Sequence, residues 1–245
     1  MNPTFMLGGE LEVRRLGFGA MRIVDDREEG VRVVRRAVEL GVTLIDTADI
    51  YGAGVSEEVV AEALHPYPEG LVIGTKGGLG YGLQDRIRDG RPEYLRRACD
   101  ASLRRLKLER IDLYQLHRHD PEVPIEESVG ALEQLRLEGK VRLIGLSNVS
   151  LDQLRRAQTV ARIASVQNQF NRGLLTSEYL LDACEAEDIA FFPWNPLGEG
   201  LRGPAYEIRW LLDRSPMMLP IPGTSAVAHL EENMQAVADY SPAAS

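Results

Sequence analysis

An acid, a phenol, an ammonium and an imidazole stand at matching places in this chain. Asp46 closes the apolar start of TLIDTADIYG, Lys76 closes LVIGTK and His117 closes IDLYQLH, while Tyr51 follows five residues after Asp46. Alternate residues of a strand share a face, so Leu44 pairs with Asp46, Gly74 with Lys76 and Gln115 with His117. In each strand the polar member comes last, and parallel strands would bring all of these groups to one rim. A buried lysine there needs a carboxylate, and Asp46 is its natural partner. An ammonium beside a phenol favours the phenolate, lowering a tyrosine pKa from about 10 towards the working pH, with each unit worth roughly 1.4 kcal/mol. Tyr51 would then serve as general acid to a carbonyl oxygen, and His117 as a neutral donor that orients the substrate. Taken singly, each residue has an ordinary structural explanation: a helix cap, a packed ring, a satisfied polar side chain. Their joint arrival at one rim, with a lysine that needs neutralising, favours chemistry. His119 competes for the donor role, but HRH is not metal spacing and no Cys/His/carboxylate cluster supports zinc.

That convergence needs a closed parallel sheet, and the chain repeats as one requires. After a hairpin in FMLGGELEVRRL, with Gly8-Gly9 at its turn, eight strand-like runs follow. They are GFGAMRI (17–23), TLIDTA (43–48), LVIGTK (71–76), IDLYQLH (111–117), VRLIGLSN (141–148), SVQNQFN (165–171), IAFFPWN (189–195) and MMLPIPG (217–223). Between and after them lie amphipathic stretches of helical period, some opening on a cap such as Ser56 or Ser150 with an acid close behind. Strand then helix, eight times in 245 residues, predicts a (β/α)8 TIM barrel in a single domain spanning 1–245, close to the roughly 250 residues usual for that fold.

A net charge of −9 argues against a nucleic-acid or anionic-membrane surface, which needs basic stripes. No apolar run approaches the roughly 18 residues of a membrane span, and the N-terminus lacks a basic start and apolar signal core. A cytoplasmic location is expected. Cys99 and Cys184 fall in the third and sixth helical stretches and read as plain buried thiols. The Gly-rich stretch GGLGYGLQDRIRDGR (77–91) reads as a mobile surface loop with Tyr81 a candidate pocket wall. Nothing in the sequence bears on oligomeric state.

DTADIYG, the lysine and histidine closing the third and fourth strands, LIGLSN, VQNQFN, WNPLGEG and IPGTSAVAHLEEN together resemble the aldo-keto reductases, in order and nearly end to end. The resemblance implies a barrel enzyme that uses NADP(H), with NAD(H) possible, to reduce a small-molecule carbonyl substrate. It implies a catalytic tetrad of Asp46, Tyr51, Lys76 and His117. Ser147, Asn148 and Gln167 match residues that hold the nicotinamide carboxamide, a task suited to amides and a hydroxyl. Trp194 matches the aromatic that stacks on the nicotinamide ring. Gly19, Met21 and Asp46 match the ribose side, and Asn195, Leu197 and Gly198 the loop under the pyrophosphate. Gly223, Thr224, Ser225, His229, Glu232 and Asn233 match the adenosine end, at the start of the last helix, where backbone N–H groups suit phosphate.

Two departures stand out. Members of the family that grip the 2′-phosphate strongly carry Lys or Arg where this chain has Gly223, and Arg where it has His229. Between Gly198 and AYEIRWLL only EGLRGP intervenes, where the family usually has some tens of residues that cover the cofactor. The sequence supports an NADP(H)-dependent carbonyl reductase first. The second reading is a nicotinamide-binding redox sensor or partner subunit with vestigial catalysis. A third, Schiff-base chemistry on Lys76, is disfavoured because Asp46 and Tyr51 would keep that lysine charged.

Overall fold

The computed structural model describes residues 4–81, 86–200, 202–238 and 240, without the side chains of Tyr81 and Arg86. It opens on a hairpin of β1 (Thr4–Leu7) and β2 (Leu11–Arg14). Gly8 and Gly9 turn it at φ 60° and 73°, the two left-handed positions a type I′ turn demands. Parallel strands follow: β3 (Phe18–Gly19), β4 (Leu44–Asp46), β5 (Val72–Gly77), then, after the short antiparallel pair β6 (Leu79–Tyr81) and β7 (Arg86–Arg88), β8 (Ile111–Leu116), β9 (Val141–Ser147), β10 (Ile163–Gln169) and β11 (Ala190–Trp194). The sheet runs β11-β10-β9-β8-β5-β4-β3. Helices α1 (Arg27–Glu39), α2 (Val55–Leu64), α3 (Pro92–Leu106), α4 (Ile125–Leu137), α5 (Leu151–Gln158), α6 (Glu178–Ala186), α7 (Pro204–Arg214) and α8 (Val227–Ala238) jacket it.

The eighth run, 217–223, differs from expectation. It forms no regular strand, yet it closes the ring. Phe191 N–H donates to Met217 O (2.8 Å) and Leu219 N–H to Phe191 O (2.9 Å), while Gly17 and Gly19 N–H donate to Pro220 O (3.0 Å) and Pro222 O (3.3 Å). Parallel pairing would direct the amide of residue 222 back at β3, and proline has none to give. The joint is therefore tight but poorly laddered: a Cβ on Gly19 would lie 2.6 Å from Ile221 O, and one on Gly223 2.7 Å from Gly19 O. The first run is also shorter than 17–23, because Ala20–Arg22 turns into a 3-10 segment.

Alternation along the strands sorts the interior into levels. Leu44, Val72, Leu113, Leu143, Phe192 and Leu219 fill one end, where Leu7 and Val13 of the hairpin plug the barrel. Two residues further along several strands stand Asp46, Gly74, Gln115, Gly145 and Trp194, and the apolar filling gives way to a polar floor. Gly145 is needed there, since a Cβ would strike Ser165 Oγ and come within 2.8 Å of Gln115 Cγ. Outside the wall, one apolar cluster joins β8–β11 to α3–α6 and a second joins β3 and β4 to α1, α2, α7 and α8.

The expected cap at Ser150 forms a full capping box with Gln153. Ser56 does not cap. The chain enters α2 through left-handed Gly54 (φ 96°), and fully buried Ser56 instead donates to Ala20 O (2.7 Å) beside Thr47 Oγ1 (2.7 Å), pinning the helix to the barrel rim. Cys99 and Cys184 are buried free thiols, and burial pushes both pKa values up to about 12. The stretch 77–91 holds β6 and β7 rather than irregular loop throughout. The expectation for the Tyr81 side chain lies outside the described residues. Among those residues no helix is long and apolar enough to cross a membrane.

Candidate active site

Three neighbouring strands deliver the central ion pair. Asp46 ends β4, Lys76 is the penultimate residue of β5, and His117 follows β8, its N–H still donating to Gly77 O across to β5 (2.8 Å). Beyond β4 the chain keeps pairing with β5, with Thr47 N–H to Gly74 O (2.8 Å) and Asp49 N–H to Lys76 O (3.2 Å), which carries Tyr51 to the rim. Gly52 and Gly54, at φ 58° and 96°, then turn the backbone into α2.

Lys76 is fully buried. Its Nζ donates to Asp46 Oδ2 (2.6 Å), Thr47 O (2.7 Å) and Tyr51 Oη (3.4 Å), using all three of its protons. Burial alone would lower the Lys76 pKa, but Asp46 and Tyr51 outweigh it and leave the pKa raised. A lysine held charged and sealed in this way is a poor amine nucleophile, which counts against Schiff-base chemistry. Nζ also lies 5.1 Å from the Tyr51 ring centroid, and the His117 ring meets Tyr51 edge-on with centroids 5.8 Å apart. The other oxygen of Asp46 accepts from Gln115 Nε2 (3.0 Å) and Gln167 Nε2 (3.1 Å). One carboxylate thus orients a lysine and two amides.

The neighbouring strands end in a second polar group. Asn148, left-handed at φ 57°, donates through Nδ2 to Ser147 Oγ (2.8 Å) and His117 O (3.3 Å). Its Oδ1 accepts from Trp194 Nε1 (3.0 Å), which fixes the half-buried indole by its edge. Asn195 is also left-handed (φ 52°), and its carbonyl accepts from Asn171 Nδ2 (3.0 Å) and from the amide of Gly198 (3.2 Å).

These groups line one cavity of about 1000 Å³ at the C-terminal rim. Gly19 and Met21 contribute from the end of β3, Asp46, Tyr51 and His117 from β4 and β8, and Ser147, Asn148, Gln167 and Trp194 from β9 to β11. Asn195, Leu197 and Gly198 follow, then Gly223, Thr224 and Ser225 before α8, and His229, Glu232 and Asn233 on it. Of the catalytic and cofactor-binding residues expected from sequence, Lys76 alone lies behind the wall. His119 is not on the wall, and its Nδ1 faces Gln153 Nε2 at 3.2 Å. Sequence reasoning gave Gln115 no role, although its place on the same strand face as His117 was a signal. Arg22 and Arg118, also on the wall, went unmarked because each is an isolated basic residue just past a strand.

Asp49 sits two residues before Tyr51, largely buried, with its Oδ1 lacking a hydrogen-bond partner. Burial first, then the nearby Glu57 carboxylate, push its pKa up to about 7, against the opposing pull of Arg105, the Ile50 amide and Lys76. Glu57 is itself tied to Thr75 Oγ1 (2.6 Å) and Arg105 Nε (2.6 Å). The folded chain therefore keeps the Asp49 proton to about pH 7, whereas an unfolded carboxyl releases it near pH 4. Folded protein binds more protons in that window, so stability falls as pH rises through it. Asp49→Asn should remove this slope. Urea denaturation at pH 5 and pH 8 should show the variant gaining on the parent by roughly 1–3 kcal/mol at the higher pH. An equal difference at both pH values would show that Asp49 is already ionised at pH 5.

The sequence matches the family model described as Aldo/keto reductase family over residues 15–208. An uncharacterised oxidoreductase of Schizosaccharomyces pombe is 42% identical over 93% of this chain and 83% of its own length. Pyridoxine 4-dehydrogenase of Escherichia coli is 37% identical over 95% of this chain and 92% of its own. A crystal structure of an aldo/keto reductase from Klebsiella pneumoniae in complex with NADP and acetate superposes with a TM-score of 0.82, at 26% identity, covering 97% of this chain and 90% of that one.

Proposed function

From the premise that the chain belongs to the aldo/keto reductase family and is an oxidoreductase, we propose that it reduces small aldehydes or ketones to alcohols with NADP(H), Tyr51 giving the proton. The carrying observation is Lys76 Nζ held 2.6 Å from Asp46 Oδ2 and 3.4 Å from Tyr51 Oη, at the floor of a cavity of about 1000 Å³. The ammonium stabilises the phenolate that proton donation leaves behind, and Asp46 keeps the ammonium charged and in place. His117, edge-on to Tyr51, is close enough to share the carbonyl oxygen with it.

The residues on the cavity wall suit the dinucleotide. Ser147, Asn148 and Gln167 offer a hydroxyl and two amides already oriented by Trp194, by one another and by Asp46, as a carboxamide needs. Trp194, held by its edge, can present a face to a flat ring. Thr224 and Ser225 precede α8, whose amino end favours an anionic group. The bound nucleotide would supply the hydride, which the carbonyl carbon would accept while Tyr51 protonates the oxygen. The NADP complex of the Klebsiella pneumoniae protein supports this choice of cofactor.

Steady oxidation of NADPH by purified protein with a generic aldehyde tests the reading. Nucleotide binding without turnover would favour a redox sensor instead. Between β11 and α7 the described residues make close contacts, with Gly200 N–H to Leu197 O (2.8 Å) and Gly203 N–H to Gly200 O (3.0 Å), and only nine residues separate the two elements, little chain to fold over a pyrophosphate. Nucleotide should therefore bind in one rapid, reversible step, with a Kd at least about tenfold above that of a relative bearing the covering loop, a cost of roughly 1.4 kcal/mol. The preference for NADPH over NADH should be modest, because His229 lacks the fixed charge and forked donors of an arginine. Stopped-flow fluorescence would check both. A slow step after binding together with sub-micromolar affinity would show that some segment does close.

A further inference from the structure

Arg118 leaves β8 directly after His117 and forms part of the cavity wall, half-buried. Among the described residues no hydrogen bond or ion pair engages its guanidinium, although the chain carries 37 acidic residues against 28 Lys and Arg. Elsewhere the arginines find carboxylates readily, as Arg96 does with Glu138, Arg156 with Glu126 and Arg214 with Glu178. Asp120, two residues further along the chain, and Asp89, whose amide donates to Gly78 O (3.1 Å) just past β5, are committed to other work. Asp120 accepts from the amides of Gly90 (3.1 Å) and Glu122 (3.0 Å), and Asp89 accepts from Arg91 (2.6 and 2.8 Å). Its neighbour His119 faces Gln153, so this stretch of chain sends Arg118 to the cavity and His119 elsewhere.

The position in the sheet assigns Arg118 to a particular half of the cavity. The nucleotide-fitting groups stand on β9, β10, β11, the closing segment 217–223 and β3, where Arg22 is the other wall arginine. Arg118 lies two residues past the end of β8, which neighbours β5 and then β4, the strands that present Lys76 and Asp46 and lead to Tyr51. Of the three acids on the wall, Glu199 and Glu232 lie on the nucleotide side, after β11 and on α8, and Asp46 on β4 is engaged by Lys76 Nζ (2.6 Å), Gln115 Nε2 (3.0 Å) and Gln167 Nε2 (3.1 Å). On the same cavity wall as Tyr51, this half-buried guanidinium has no carboxylate partner among the described residues to offset its desolvation. Its planar fork of N–H donors matches a carboxylate or phosphate in two parallel bonds.

We propose that Arg118 binds an oxyanion carried by the substrate, so that the preferred substrates are aldehydes or ketones bearing a carboxylate or a phosphate. The inference rests on the reductase reading above. With the anion held at Arg118 and the carbonyl at Tyr51 and His117, the substrate is fixed at two points, and most of the gain is in KM.

Rates with 3- and 4-formylbenzoate against the matching formylbenzamides compare charge at nearly constant shape, and glyceraldehyde 3-phosphate against glyceraldehyde compares phosphate with none. In the parent enzyme the anionic member of at least one pair should lead in kcat/KM, and Arg118→Gln should lower that anionic-to-neutral ratio by roughly 10- to 100-fold, largely through KM. Intrinsic reactivities cancel because the same pair is used with both proteins. Arg118→Lys should recover part of the ratio for phosphate and less for carboxylate, and whichever pair responds identifies the anion. Calorimetric titration with 4-(hydroxymethyl)benzoate and its amide reads the same preference without turnover. Equal binding of the two by the parent protein assigns the site to phosphate, and a ratio unchanged in Arg118→Gln for both the carboxylate and the phosphate pairs overturns the proposal. Charge-selective binding lost in Arg118→Gln, in a protein that turns over no carbonyl, would keep the anion site and reject the reductase reading.

Discussion

Tyr51→Phe should lower carbonyl reduction at saturating NADPH by about 10² or more. The variant loses a single oxygen, the one 3.4 Å from Lys76 Nζ. The ring keeps its edge-on contact with His117 (5.8 Å between centroids) and its place beneath the ammonium (5.1 Å), so packing is conserved and only proton donation is lost. Nucleotide affinity should hardly change, because the groups suited to the nicotinamide stand on β9 to β11. Single-turnover measurement of NADPH oxidation separates the two effects. Near-normal turnover would transfer proton donation to another group, with His117 the nearest candidate.

Lys76→Met should damage both reaction and fold, for one electrostatic reason. Without the ammonium, the phenol keeps its proton to higher pH, so the rate falls and the alkaline limb of the pH profile moves up. Asp46, almost wholly buried, is left with Gln115 and Gln167 as donors but no compensating charge, which should cost about 3–5 kcal/mol of stability. Adding Asp46→Asn removes the stranded charge. The double variant should therefore recover much of the stability in chemical denaturation and none of the activity. A single variant with the parental rate and pH profile would show that the phenol does not depend on Lys76.

Period-two alternation and the position of each polar residue at a strand end carried most of the architecture, because those signals are local. They placed Asp46, Lys76 and His117 on neighbouring strands and Tyr51 just beyond, and the structure puts them in contact. The eighth run was legible as apolar, but its prolines deny it a ladder, and apolar periodicity does not register a missing N–H. Ser56 was misread because a serine before acids looks the same in sequence whether it caps a helix or docks it to the barrel. Gln115 and Arg118 needed three dimensions. Gln115 matters only because β4 and β10 bring Asp46 and Gln167 beside it, and Arg118 only because the cavity wall takes it in while Asp120, two residues on, bonds to backbone amides. Asp49 is similar: its raised pKa comes from burial against Glu57 on a helix, which composition does not reveal.

The proline-bearing joint between β11 and β3 has a mechanical consequence. Every other seam of the barrel joins two paired strands, whereas this one rests on a few amides donated into 217–223 from its two neighbours and one returned. A ring with one thin seam parts there first, since local opening follows the weakest set of cooperative bonds. The same seam carries Gly19 and Met21 on one lip and Gly223, Thr224 and Ser225 on the other, all facing the cavity. A molecule long enough to touch both lips acts as a stitch, and its binding free energy adds directly to the cohesion of the whole barrel. In this chain, occupancy of the cavity and integrity of the fold are then one equilibrium seen from two ends.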